Sequence, residues 1–175
     1  MSNVLDVKDL VVHFETSDGV VKAVNSLTLS MEQGSTLGVV GETGAGKTTL
    51  AKAIMGLLKD QRKVVKGGQI FYNEKDLLQA TEAELRDLRG KQISMIFQDP
   101  MTSLNPVIPV DKQIAEVIEA HQRVNSKEAL QRALDMLDMV GIPRSRGGEY
   151  PHQFSGGMKQ RVVIAIAMAC KPELL

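Results

Sequence analysis

Residues Gly41-Glu42-Thr43-Gly44-Ala45-Gly46-Lys47-Thr48 fill the pattern G-x-x-x-x-G-K-[ST], the P-loop. Each residue type in it has a chemical reason. Gly44 and Gly46 carry no Cβ, so the backbone can curl and aim successive N–H groups at phosphate oxygens. A helix opening near Lys47 presents the positive end of its dipole to the same anion. Lys47 adds a mobile point charge for β- and γ-phosphates, and Thr48 offers a hydroxyl to Mg²⁺. The bland alternative is a glycine-rich turn beside a surface lysine. Context argues against it: the apolar run Leu37 to Val40 predicts a strand before the loop, and Thr49-Leu50 leads into helical spacing after it. The pattern says nucleoside triphosphate and names no reaction.

Other residues with chemical potential are weaker alone. Ser155-Gly156-Gly157 precedes an apolar helix, which could make a second anion site or only a serine N-cap with a flexible entry. Gln98 follows an apolar run, Gln92 to Phe97. Phe14 reads first as a packing side chain, the alternative being a flat face for a nucleotide base. Cys170, the one cysteine, reads as a small residue on a buried helix and excludes an internal disulfide framework. Of the histidines, His152 reads as a hydrogen-bonder in a loop.

The elements that must position these residues follow from periodicity. Val4 to Phe14 reads as a strand and Val20 to Met31 as one or two more, around a turn at Ser17-Asp18-Gly19. Lys47 to Leu58 reads as a helix whose Leu50, Ala53, Ile54, Leu57 and Leu58 share one face. Lys59 to Gly68 reads as a loop and Gln69 to Tyr72 as a short strand. Thr81-Glu82-Ala83-Glu84 is a capping box opening a helix that Gly90 ends. Gln92 to Phe97 predicts another strand, and Met101 to Pro109 a loop. Asp111 to Arg123 and Ser126 to Val140 predict helices, with a loop from Gly141 to Gln153. Val162 to Cys170 is apolar all round, so its helix should be buried, ending before Pro172. Glu173-Leu174-Leu175 looks like the start of a further strand. The 175 residues, 43% apolar and 24% charged, suit a globular domain with a core. Basic and acidic side chains balance at 21 each, so no overall field favours nucleic acid or an anionic membrane. No apolar run reaches the roughly 18 residues of a membrane-spanning helix, and the N-terminus lacks the pattern of a signal peptide.

Taken together, the P-loop, Gln98, the helical stretch and Phe154-Ser155-Gly156-Gly157-Met158-Lys159-Gln160-Arg161 resemble, in that order, an ATP-binding cassette (ABC) protein. The last stretch is similar to the signature motif usually written L-S-G-G-Q. Ile96-Phe97-Gln98-Asp99-Pro100-Met101-Thr102-Ser103-Leu104-Asn105-Pro106 and Tyr150-Pro151-His152-Gln153-Phe154 resemble the oligopeptide, dipeptide and nickel branch of ABC importers. The resemblance covers essentially the whole chain. It implies an α/β P-loop NTPase core with an N-terminal antiparallel β portion and an all-helical subdomain. The expected division is 1–100 (β-rich core with the P-loop), 101–153 (helical) and 154–175 (signature helix and strand lead-in).

The resemblance also implies a peripheral ATPase subunit on the cytoplasmic face of the cell membrane. It would work with a second ATPase subunit, identical or a paralogue, with two permease subunits, and with an extracytoplasmic solute-binding protein. The cofactors implied are ATP and Mg²⁺; nucleic acid is not an expected partner. Gly41, Glu42, Thr43, Gly44, Ala45, Gly46, Lys47, Thr48 and Thr49 would hold the phosphates, and Phe14 the base. Thr48 and Gln98 would contact Mg²⁺, with Gln98 sensing the γ-phosphate. Ser155, Gly156, Gly157 and Met158 would close on ATP held by the partner subunit. Phe154 and Met158 depart from the commoner Leu and Gln. In the family a following strand carries an aspartate for Mg²⁺ and a glutamate that positions water, and a switch histidine comes later. None of these falls within the chain, and His13, His121 and His152 do not match the switch. The expectation is therefore a core lacking its C-terminal part, inactive alone. The alternatives are a truncated, catalytically inert nucleotide-binding fragment and, less favoured, an ABC-type DNA-maintenance ATPase. The short helices between Asp111 and Val140 and the absent basic excess oppose the last.

Overall fold

In a computed structural model, residues 3–58 and 64–175 are described, and they form two compact units, Met1–Arg86 and Asp87–Leu175. The first is built on a four-stranded antiparallel sheet, in the order β2-β1-β3-β4. Strand β1 (Asn3–Thr16) turns through Ser17-Asp18 into β2 (Gly19–Glu32), and the Thr16 hydroxyl donates to the Gly19 carbonyl at 2.8 Å. On its other side β1 pairs with β3 (Val64–Tyr72), which pairs with the short β4 (Lys75–Asp76). Val7, Leu10 and Val12 on β1 are fully buried with Ile70 on β3, so the Val- and Leu-rich pattern becomes the core of this unit.

Helix α1 (Lys47–Ile54) packs Leu50 and Ala53 inward. It ends before the Leu58 expected from spacing; Leu57 stays partly exposed while Leu58 is buried in the turn that follows. Strand β3 begins at Val64, not at Gln69, because the ladder with β1 extends to Phe14↔Val64. The expected loop there falls partly on residues 59–63, outside the described residues. Helix α2 (Glu82–Leu88) opens at the expected capping box. The Thr81 N–H donates to Glu84 Oε2 at 2.7 Å and the Glu84 N–H to Thr81 Oγ1 at 3.3 Å.

The second unit is helical. α3 (Pro100–Ser103), α4 (Val110–His121), α5 (Ser126–Met139) and α6 (Gly156–Met168) follow in order. Ile114 and Ile118 on α4, Ala133 and Leu137 on α5 and Val162 and Ala165 on α6 form one core with Ile142 and Phe154. Two expected loops contain structure: α3 in the first, and single 3-10 turns at Arg144–Arg146 and Pro151–Gln153 in the second. Both contain prolines, which seat well in a first helical turn.

Two expected strands are absent among the described residues. Residues 35–42 carry no regular structure, and Leu37, Val39 and Val40 are 45%, 48% and 93% exposed. An extended segment becomes a strand only when a neighbour accepts its hydrogen bonds, and no ladder reaches this one. The run Gln92 to Phe97 is reduced to parallel bridges from Ile93 to Arg89 and to Leu174. There the Ser94 N–H donates to the Leu174 carbonyl at 2.9 Å and the Leu174 N–H to the Gln92 carbonyl at 3.1 Å. The expected lead-in at Glu173-Leu174-Leu175 is thus paired at its middle residue. Among the described residues no helix is long and apolar enough to cross a membrane.

Candidate functional site

The glycine-rich loop takes its shape from three local devices. The Ala45 N–H donates to the Glu42 carbonyl at 3.1 Å, closing a turn over Thr43-Gly44. Gly44 and Gly46 then sit at φ 86° and 84°, the left-handed region that side chains avoid. Gly46 has a second reason to lack a Cβ: one built there would stand 2.0 Å from the Ala23 carbonyl oxygen on β2. Gly46 is also the N-cap of α1, so the loop runs directly into the helix N-terminus with no side-chain cap over it. The open N–H groups of the first turn therefore face outward beside Thr48, which is exposed. Lys47 lies back across the loop. Its Nζ donates to the carbonyls of Gly41 and Glu42, both at 2.6 Å. A glycine turn, a helix N-terminus and an ammonium thus lie together, with residues 41–45 on the surface, the kind of arrangement that suits an anion. Phe14 is half-buried near the end of β1, in register with Val21 on β2 and Val64 on β3.

In the second unit, Gln98 is exposed just past the 93–97 segment. Ser155 caps α6, its Oγ accepting from the Met158 N–H at 3.4 Å. Ser155, Gly156 and Gly157 are exposed, and a Cβ on either glycine would meet nothing within 4 Å. Met158 and the preceding Phe154 turn inward, Phe154 being buried at 4%. His152 stacks on Tyr150 with ring centroids 5.8 Å apart. Cys170 lies just past α6, half-buried, with its thiol pushed up by burial and directed at the Val117 carbonyl at 3.8 Å. That suits the reading of a small packing residue and no reactive thiol.

Thr48, exposed in the first unit, carries a hydroxyl oxygen, and Gln98, exposed in the second, an amide oxygen, each a hard donor of the kind Mg²⁺ takes. Among the described residues no cluster of three or more His, Cys, Asp or Glu is placed to hold a metal. A cation held chiefly through substrate phosphates and water needs few protein ligands, so a single hydroxyl such as that of Thr48 suits it.

Sequence reasoning missed the residues that hold these loops. Gln113, a buried polar side chain, accepts from the Asn105 N–H at 2.9 Å and donates to the carbonyls of Asn105 at 2.9 Å and Ile108 at 2.7 Å. It pins the proline-bearing loop to α4. Arg146 grips the segment around Ser155, as described below. No local pattern marks either residue: the partners of Gln113 are loop backbone, and those of Arg146 are scattered over Glu149, Gln153, Phe154 and Met158.

Comparison with known proteins places this geometry. A model of the family described as ABC transporter matches residues 24–175. The chain is 51% identical, over 98% of its length and 51% of the relative's, to the oligopeptide transport ATP-binding protein OppD of Escherichia coli strain K12. To OppD of Bacillus subtilis strain 168 it is 46% identical, over 100% of its length and 49% of the relative's. To the dipeptide transport ATP-binding protein DppD of the same organism it is 45% identical, over 100% and 53%. The chain spans about half the length of these curated relatives. Among solved structures, the dimeric post-hydrolysis state of the ATP-binding cassette MJ0796 bound to ADP and Pi superposes with a TM-score of 0.85. It is 24% identical, over 96% of this chain and 70% of that one, and so shows the fold.

Proposed function

The chain belongs to the ABC transporter family, and on that premise we propose that it is the ATP-binding portion of a subunit energising import of oligopeptides or dipeptides. The observation that carries the proposal is the loop from Gly41 to Gly46, turned onto the N-terminus of α1 with Lys47 across it. The similarity to peptide-transport ATP-binding proteins along the whole chain supports the solute class. In this reading the loop N–H groups and α1 hold the β- and γ-phosphates. Lys47 exchanges its two carbonyl partners for phosphate oxygens. Phe14 lies against the base. Thr48 and Gln98 would offer oxygens to Mg²⁺, which would supply charge neutralisation to the nucleotide phosphates. Ser155, Gly156, Gly157 and Met158 meet the nucleotide of a second ATPase subunit, so that ATP draws the two together. The subunit works at the cytoplasmic face of the membrane with permease partners and a solute-binding protein.

The test uses the complete subunit in its assembled transporter. Lys47→Ala is expected to abolish ATP-dependent uptake of a labelled oligopeptide and to weaken ATP binding at least about tenfold. Uptake at the unaltered rate would defeat the assignment. Uptake of nickel or a short sugar in place of peptide, lost in the same variant, would keep the nucleotide site and change the solute.

A further inference from the structure

The exposed tripeptide Ser155-Gly156-Gly157 opens α6: the Ser155 carbonyl accepts from the Lys159 N–H at 2.9 Å, while the side-chain cap, from the Met158 N–H to Ser155 Oγ, is long at 3.4 Å. Gly156 and Gly157 have no side chain with which to fix the helix entry against the loop ahead of it. Arg146, at the end of the 3-10 turn Arg144–Arg146, reaches residues on both sides of the tripeptide. Ahead of it, Nη2 donates to the Gln153 carbonyl at 3.2 Å, and the guanidinium carbon lies 4.7 Å from the Phe154 ring centroid. Behind it, Nη1 is 3.3 Å from Met158 Sδ. The guanidinium is itself aimed by Glu149. Nε donates to Oε1 at 3.0 Å and Oε2 at 3.1 Å, and Nη2 to Oε2 at 2.6 Å. Glu149 is anchored by its backbone: its N–H donates to the Arg146 carbonyl at 3.0 Å and its carbonyl accepts from the Val110 N–H of α4 at 3.0 Å. The ion pair holds the Glu149 carboxyl below, and the Arg146 guanidinium above, their ordinary ranges.

We propose that Arg146 is a positioning residue: by gripping Gln153, Phe154 and Met158 at once, it fixes how Ser155-Gly156-Gly157 is presented to the triphosphate of a second subunit. The proposal rests on the shared-nucleotide reading above. The planar fork is what the role requires. The guanidinium lies over the Phe154 ring while its N–H groups serve a carboxylate, a carbonyl and a thioether, a combination an ammonium cannot reproduce.

The experiment uses the complete subunit, compared as Arg146→Lys, Arg146→Met and Ser155→Arg. ATP affinity is measured by titration of the dilute monomer with a fluorescent ATP analogue. ATP-driven pairing is measured on a sizing column in EDTA, and turnover in the assembled transporter. Both Arg146 variants are expected to keep monomer affinity within about twofold. Pairing should require roughly tenfold more ATP, and kcat should fall about tenfold, because misplacing a transition-state contact acts on kcat more than on ground-state binding. Arg146→Lys, which keeps charge and length, guards against a variant that fails to fold, and it should not rescue. Pairing and turnover at unaltered levels in both variants would overturn the proposal. So would a loss of monomer affinity as large as the loss of pairing, since Arg146 would then only support the fold. Ser155→Arg separates the two claims. If it pairs normally, the shared site itself falls and the proposal with it; if it alone is blocked, only the role of Arg146 falls.

Discussion

At the residue scale, Gly46 carries one constraint that Gly44 shares and one that it does not. Both have a left-handed φ, which costs a residue with a Cβ about 1–2 kcal/mol. Only at Gly46 would that Cβ strike a backbone carbonyl, at 2.0 Å from Ala23. A strand carbonyl cannot swing aside as a side chain can. Gly46→Ala is therefore expected to abolish ATP binding and to lower the melting temperature clearly more than Gly44→Ala. The latter should melt only about 2–8 °C lower and retain measurable binding. Melting curves and nucleotide titration of the two variants check this, and equal effects would contradict it. The sequence indicated that both glycines serve a phosphate loop. It could not rank them, because the obstructing atom belongs to β2. Phe14 shows the same limit: its place beside Val21 and Val64 comes from register, which single residues do not reveal.

At the scale of elements, helix α2 was legible from four residues, and the structure adds what the capping carboxylate gains. Lys75 Nζ lies 2.8 Å from Glu84 Oε1 while Thr81 occupies Oε2. First Lys75, then the Thr81 donors, hold the Glu84 carboxyl down from 4.5 to about 2. A carboxylate with a folded pKa below its unfolded one stabilises fully above the unfolded value. That contribution is lost as the pH falls through the folded value. The window here runs from about pH 4.5 down to about 2. Glu84→Gln keeps an acceptor for the cap but loses the charge. The unaltered chain should therefore lose melting temperature more steeply than the variant between pH 5 and 2, and added salt should narrow the gap, since both partners are exposed. Parallel pH profiles would contradict it. The loops were less legible. α3, the 3-10 turns and the grip of Gln113 depend on contacts that a proline- and glycine-rich stretch does not advertise. The run Leu37 to Val40 has a strand's composition without a strand's hydrogen bonds, since composition sets a preference and a neighbour supplies the ladder.

At the scale of the whole molecule, that unpaired run is a surface property. Val40 is 93% exposed next to Val39 at 48%, an apolar extended segment of the kind that templates pairing with another chain. The 175-residue chain on its own is expected to self-associate, and Val40→Lys to roughly halve the associated fraction seen by light scattering. No change on that substitution would place the sticky surface elsewhere. The broad architecture was readable in advance because antiparallel strands and amphipathic helices announce themselves over short stretches. The 93–97 segment was not, because its partner is remote.

That remoteness sets an order of events during synthesis. The sheet of the first unit needs nothing beyond Asp76, so it can pair as soon as that much chain has left the ribosome. Ile93 must wait for Leu174, about eighty residues later, which at about 5–20 residues per second is roughly 4–16 s. For that interval the apolar stretch outside the exit tunnel has only its local bridge to Arg89, while α4 and α5 collapse locally beside it. The bridge from Ile93 to Leu174 therefore closes after α4 and α5 have formed, and the window before it closes is when a chaperone would have this segment to itself.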